Sequence, residues 1–181
     1  MSARLVKICG INSADAFDAA AESGADYVGF VFCAASPRNV TPDQAAAISA
    51  RQEGGPKRVG LFVNPGKSEI EAALAVVKLD ILQIHGTAAS IAALGLDMPV
   101  WQALGIATQA DFPAPAQAIA GYVVEAKPPP GATRPGGNAV IADWELLSRF
   151  RPTKPWLLAG GLNPDNVQAA LRQTGAPGAD V

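Results

Sequence analysis

Short apolar runs alternate with alanine-rich, amphipathic stretches along the whole chain. The runs are rich in β-branched residues and are bounded by glycine, proline and asparagine, which is typical of buried strands. The stretches between them carry apolar residues at helical spacing, as at Ala16, Phe17 and Ala20. This alternation of strands and helices predicts an α/β fold with a parallel sheet.

The pattern predicts eight strands, at residues 4–12, 26–32, 58–63, 80–85, 99–103, 121–126, 156–159 and 178–181. Seven helices are predicted between them, at residues 13–22, 41–51, 67–77, 88–94, 108–119, 143–150 and 163–173. The fifth helix is weak, because Pro113 and Pro115 interrupt it. The count predicts a single (β/α)8 TIM barrel domain over residues 1–181 that lacks its last helix, with a doubly wound open sheet as the alternative.

Composition narrows the class of protein. With 181 residues, of which 49% are hydrophobic and 17% charged, the chain can bury the core of one soluble domain. A net charge of −2 without a basic block argues for a small-molecule substrate and against nucleic-acid or membrane partners. Since only two cysteines occur and residues 1–4 lack a hydrophobic signal core, we expect a cytoplasmic protein.

Polar side chains gather where the predicted strands end. In a parallel barrel these ends share one rim, where active sites are built. Within the first strand, alternation places Lys7 and Cys9 on one face and Val6 and Ile8 on the other. The remaining candidates are Arg38, His85, Glu125, Lys127, Gly160, Gly161 and Asp180.

Each candidate also has an ordinary structural interpretation. A thiol beside a strand is commonly a small buried hydrophobe, as we interpret Cys33, and His85 can be a core residue. Arg38 is either a solvated surface charge or a bidentate clamp for a carboxylate. Gly160 and Gly161 form either a tight turn or a close approach to a phosphate. The convergence of the set at one rim is what indicates function.

Residues 60–68 match a nucleotide-binding P-loop only in part. Five residues separate the two glycines where the motif has four, and Gly60 falls inside a predicted strand. The sequence also lacks the dinucleotide, zinc-peptidase and serine-hydrolase motifs. These function classes therefore have no support from motifs.

Six segments in series resemble the phosphoribosylanthranilate isomerases of tryptophan biosynthesis. The resemblance implies a TIM barrel that converts N-(5-phosphoribosyl)anthranilate to 1-(2-carboxyphenylamino)-1-deoxyribulose 5-phosphate. This Amadori rearrangement needs neither metal nor organic cofactor, and the enzyme would be a monomer or homodimer. The segments are residues 6–10, 27–32 with 36–38, 60–64, 83–86, 135–137 with 143–144, and 158–162.

The resemblance also implies roles for individual residues. Cys9 would be the base, and Glu125 stands where the family has its general-acid aspartate. Arg38 would hold the anthranilate carboxylate. Lys7, as our own hypothesis, would help Cys9 to ionise. Gly160 and Gly161 would donate amides to the phosphate, and the expected substrate-binding residues are Lys7, Arg38, His85, Lys127 and Asp180.

The sequence departs from the family pattern at three places. Glu125 is one methylene longer than the usual aspartate, which moves the acid by about an ångström. Ala139 and Ala142 replace a usual glycine and phenylalanine. The sequence stops at Val181, before the family's Ser-Ser-Gly phosphate loop and last helix, so we expect either a further segment or an uncovered seam between the first and last strands.

Two other functions remain open from the sequence. The first is a non-catalytic or diverged barrel that binds phosphosugars without turning them over. The second is another phosphosugar enzyme of aromatic biosynthesis, which the start Lys7-Ile8-Cys9-Gly10 fits less well.

Overall fold

Eight parallel strands form a closed barrel in the computed structural model, which describes residues 4–132 and 134–181. Each strand pairs with its neighbours in sequence, and β8 pairs with β1, so the predicted parallel barrel is confirmed over the open sheet. The strands are β1 (Leu5–Cys9), β2 (Tyr27–Phe32), β3 (Lys57–Val63), β4 (Ile81–His85), β5 (Val100–Ile106), β6 (Gly121–Ala126), β7 (Trp156–Leu158) and β8 (Gly178–Asp180).

Six α-helices surround the barrel in the described ranges, and side-chain caps start several of them. The Ser13 hydroxyl accepts the Ala16 amide, and Thr41 forms a capping box with Gln44. The helices are α1 (Ala14–Glu22), α2 (Pro42–Ser49), α3 (Lys67–Leu74), α4 (Ala88–Ala93), α5 (Trp144–Leu147) and α6 (Val167–Thr174). None of the helices in these ranges is long and apolar enough to span a bilayer.

Helices α3 and α5 end three residues earlier than predicted, and two other predicted helices differ more. Between β5 and β6 only a short 3-10 helix forms, Gln109–Asp111, because the prolines that follow it cannot continue a helix. Helix α6 begins at Val167 rather than at Asn163, because the Asn163 carboxamide oxygen accepts the Asp165 and Asn166 amides and holds a turn there.

The core has two layers, one inside the barrel and one between the barrel and its helices. The inner layer fills the barrel and comprises Val59, Ile81, Trp101, Val123, Leu157 and Ala159. Gly60 lies within β3, so the first glycine of the partial P-loop match is in a strand and not in a phosphate-binding loop. Where β8 meets β1, Val6 is 36% exposed and Val181 is 40% exposed. Residues 1–3, where we predicted no signal core, lie outside the described residues.

Candidate active site

A cavity of about 390 Å³ opens at the carboxyl ends of the strands. Seven of the nine residues predicted for the site line it, from six different strands or the loops that follow them. Its wall also carries apolar side chains, which can pack against an aromatic ring. The predicted residues are Cys9, Arg38, His85, Glu125, Gly160, Gly161 and Asp180, and the apolar ones include Val31, Leu61, Val63, Val123 and Leu162.

Cys9 is the last residue of β1, and its thiol faces the cavity. Burial raises the pKa of this thiol above its ordinary value of 9.0, whereas the charges of Lys7 and Arg38 lower it and that of Asp180 raises it. The thiol is therefore mostly protonated at neutral pH, and its thiolate depends on the positive charges around it.

Lys7 lies two residues before Cys9 on the same face of β1, as the alternation predicts, but deeper in the barrel. It is 0% exposed, and its ammonium donates to Asp180 Oδ1 on β8 at 2.8 Å. Burial acts to lower the pKa of Lys7, but the charges of Asp180 and Cys9 outweigh it and raise the pKa. Lys7 is thus a buried cation below the cavity and not part of its lining.

Glu125 on β6 is positioned to hold a proton near neutral pH. It is only 9% exposed, and burial raises its pKa from 4.5 to about 7. The Gly137 amide donates to Oε2 at 3.2 Å, which favours the ionised form. A Cβ at Gly136 would overlap Oε1 and lie 2.7 Å from the His85 ring, so this loop leaves space for the longer acid only because residue 136 is glycine.

His85, at the end of β4, is a neutral imidazole in this environment. Burial, with a contribution from the Lys7 charge, lowers its pKa to about 4. At neutral pH it can therefore donate one hydrogen bond and accept another without adding positive charge to the cavity.

Arg38 is held over the first strand by a backbone contact. Its Nη1 donates to the Cys9 carbonyl oxygen at 2.9 Å, and its side chain lies against Gly10. Gly10 has a φ of +83°, and a Cβ there would overlap the arginine. The arrangement fixes the guanidinium at the cavity, where it can bind a carboxylate.

Gly160 and Gly161 follow β7 and have φ values of +86° and +64°. A Cβ on Gly160 would lie 2.8 Å from the Val140 carbonyl oxygen, and one on Gly161 would lie 2.9 Å from that of Ala139. No hydrogen bond between described residues uses the amides of these two glycines as donors. They are therefore available to an anion in the cavity.

Lys127 is the second predicted residue that the structure does not bring to the cavity. Its ammonium donates to Asp111 Oδ1 at 3.1 Å on the outer rim, and its side chain is 58% exposed. The side chain follows β6 after Glu125 and points away from the cavity, so a direct contact with a bound ligand has no support here.

Among the other residues that line the cavity, Gln83, Arg134 and Cys33 also carry groups that can contact a ligand, and none of the three was assigned to the site from the sequence. Gln83 shares a face of β4 with His85, so alternation could have identified it. Its amide oxygen has no partner among the described residues, although the residue is only 2% exposed. Arg134 lies in the glycine- and proline-rich loop after β6, and Cys33, interpreted as structural, lies on the wall after β2.

The chain is similar to a family of isomerases over almost its whole length. The family model described as N-(5'phosphoribosyl)anthranilate (PRA) isomerase matches residues 6–181. An N-(5'-phosphoribosyl)anthranilate isomerase of Granulibacter bethesdensis is 46% identical over 97% of this chain and 86% of its own length. The isomerase of Paramagnetospirillum magneticum is 48% identical, over 97% of this chain and 85% of its own.

Solved structures show the same similarity. The phosphoribosyl anthranilate isomerase of Thermotoga maritima superimposes with a TM-score of 0.80 at 30% identity, over 99% of this chain and 87% of that one. A phosphoribosyl anthranilate isomerase in complex with reduced 1-(o-carboxyphenylamino)-1-deoxyribulose 5-phosphate superimposes with a TM-score of 0.78 at 28% identity, with the same coverage.

Proposed function

The chain belongs to the N-(5'-phosphoribosyl)anthranilate isomerase family and is an isomerase of tryptophan biosynthesis, and we propose that Cys9 is its catalytic base and Glu125 its catalytic acid. The observation that carries this assignment is that the two side chains line one cavity from β1 and β6, with Arg38 and a pair of unbonded glycine amides beside them.

The rearrangement needs one acid and one base. Glu125 gives its proton to the ribose ring oxygen as the C1–O bond breaks, and the nitrogen lone pair forms an iminium at C1. The Cys9 thiolate then removes the proton from C2, and the electrons of that bond neutralise the iminium to give an enolamine. Proton transfer from the 2-hydroxyl and to C1 yields the ketone.

The rest of the cavity matches the parts of this substrate. Arg38 is placed to hold the anthranilate carboxylate, and the apolar wall to pack against its ring. The amides of Gly160 and Gly161 provide donors for the phosphate. We assign His85, whose imidazole is neutral at pH 7, and Asp180 to hydrogen bonds with the ribose hydroxyls.

We also propose a cellular compartment and an oligomeric state. A reducing cytoplasm agrees with two free cysteines, which are half-buried. The cavity is built from one chain, so either a monomer or a homodimer would have a complete set of the residues named above.

Growth complementation tests the function. A bacterial strain that lacks this isomerase should grow without tryptophan when it expresses the wild-type chain, and should not grow with Cys9→Ser. The matched control is Cys33→Ser, which changes the other cysteine and should support growth. If the folded wild-type protein accumulates without restoring growth, the binder that does not turn over its ligand becomes the better account.

A further inference from the structure

We propose that Lys7 is a positioning residue for the base: Asp180 and the absence of a side chain at Gly29 hold its ammonium beside the Cys9 thiol, where the charge stabilises the thiolate. The proposal rests on the proposed function for the reaction that the thiolate performs. The placement itself rests on the geometry inside the barrel.

The position of Lys7 is fixed by burial and by one ion pair. Its side chain is fully buried, so the ammonium cannot exchange its partners for water, and no described residue other than Asp180 gives it a carboxylate at salt-bridge distance. An ammonium has three donors, and Asp180 Oδ1 takes one of them. A buried cation with donors left over is stabilised by a second anionic group, such as a thiolate.

Gly29 opens the space in which this second contact forms. It lies on β2 directly opposite Cys9 in the strand register. A Cβ at this position would lie 3.0 Å from the Cys9 Sγ and 3.2 Å from the Lys7 Nζ. The thiol and the ammonium therefore both approach the same point beside Gly29, which any larger residue would occupy in part.

The other charges around the thiol do not replace Lys7. The Arg38 guanidinium lowers the pKa of Cys9 less than Lys7 does, and one of its nitrogens is bonded to the Cys9 carbonyl oxygen. The carboxylate of Asp180 opposes ionisation of the thiol but anchors the ammonium. The other titratable groups on the cavity wall are His85, which is neutral at pH 7, Glu125, Cys33 and Arg134.

The thiol can be titrated directly and independently of turnover. In a Cys33→Ser background, Cys9 is the only thiol, so the rate of alkylation by iodoacetamide across a pH series reports its ionisation. Lys7→Met should move this titration up by at least about one pH unit and slow alkylation at pH 7 about tenfold. The matched control Lys57→Met removes an exposed lysine and should leave the titration unchanged.

Two more variants test the proposal in case Lys7→Met does not fold. Lys7→Met with Asp180→Asn removes both buried charges together, so no unpaired carboxylate is left in the core. Gly29→Ala keeps every charge but adds a methyl group that crowds both the thiol and the ammonium, and should slow alkylation and lower kcat with little change in KM.

An unchanged Cys9 titration in folded Lys7→Met, in the double variant and in Gly29→Ala would overturn the proposal. If the titration shifts as expected but the wild-type protein shows no isomerase activity, the positioning of the thiol stands and the proposed function fails.

Discussion

The pKa of Glu125 should set the pH at which the kcat/KM profile changes slope. The active form needs the proton on Glu125 and the thiolate at Cys9, and burial raises the pKa of both groups, to about 7 for Glu125. Below about pH 7, kcat/KM should rise about tenfold per pH unit as thiolate accumulates. Above it, kcat/KM should level off, because the gain in thiolate is cancelled by loss of the Glu125 proton.

The matched variant for this profile is Glu125→Gln, which has the same shape but no proton to give. It should lower kcat/KM about 10²–10⁴-fold and remove the break near pH 7 from the profile. A break that persists in the variant would assign it to another group and remove Glu125 from the role of acid.

The burial that raises the pKa of Glu125 should also lower the free energy of unfolding above pH 4.5. In the unfolded chain Glu125 loses its proton near 4.5, but the folded chain keeps it up to about pH 7. The contribution of protonated Glu125 to the free energy of unfolding is therefore fully present below pH 4.5 and is lost as the pH rises through 7. Glu125→Gln should be more stable than wild type by on the order of 3 kcal/mol at pH 8 and by about 1 kcal/mol or less at pH 5.

Urea unfolding of both proteins at the two pH values measures this difference. An advantage of the variant that does not grow with pH would contradict the raised pKa of Glu125.

At the level of single residues, the sequence predicts which side chains share a face but not how deep each lies. Alternation placed Lys7 and Cys9 together, and they do point the same way. The alternation does not predict that Lys7 lies fully buried below the cavity and pairs with Asp180, because Asp180 is distant in the sequence. The alternation also does not predict that the Lys127 ammonium lies on the outer rim, where it pairs with Asp111.

At the level of elements, the segment after β6 contains one strained residue. Ala139 has a φ of +53°, in the left-handed region that favours glycine, at a position where the family usually has glycine. Ala139→Gly should raise the free energy of unfolding by up to about 1 kcal/mol. Ala142→Gly is the control, because it removes a buried methyl group and should destabilise the protein. Thermal unfolding of both variants checks this, and equal destabilisation would contradict the strain.

Element boundaries were predictable where one residue sets them locally. Ser13 and Thr41, the first residues of two predicted helices, cap α1 and α2, because their hydroxyls accept hydrogen bonds from amides only three residues away. The predicted start of α6 was wrong. An asparagine before a proline favours a turn as well as a helix start, and Asn163 forms the turn.

At the level of the whole molecule, the two ends of the barrel carry different tasks. The cavity lies at the carboxyl ends of the strands, whereas Arg58, near the start of β3, organises the opposite end. Its guanidinium is buried and donates to the carbonyl oxygen of Ser49, the last residue of α2, and to those of Gln52, Gly54 and Pro56 in the connection to β3. The alternation of apolar and polar residues does not predict that this arginine is buried.

Arg58→Met should therefore lower the free energy of unfolding without changing the reaction. The variant leaves one buried and three partly buried carbonyl oxygens without this donor, which costs about 3 kcal/mol. Urea unfolding measures the loss, and kcat/KM at 20 °C should equal that of wild type. A large loss of activity in a folded variant would contradict the separation of the two ends.

The overall barrel was the most predictable feature, because it depends on the repeated pattern rather than on any one boundary. Even where the connection between β5 and β6 formed almost no helix, the strands kept their order and register. The pattern does not predict the contacts between neighbouring strands inside the barrel, such as those of Gly29 with Lys7 and Cys9, because it does not tell how deep each side chain lies.

The most direct test of the central claim is the loss of substrate fluorescence when purified protein is mixed with freshly made phosphoribosylanthranilate. Wild-type protein should remove the signal rapidly, and Cys9→Ser should do so about 10²–10⁴-fold more slowly. Equal rates for the two proteins would contradict Cys9 as the base. No loss of signal from folded wild-type protein would contradict the isomerase itself.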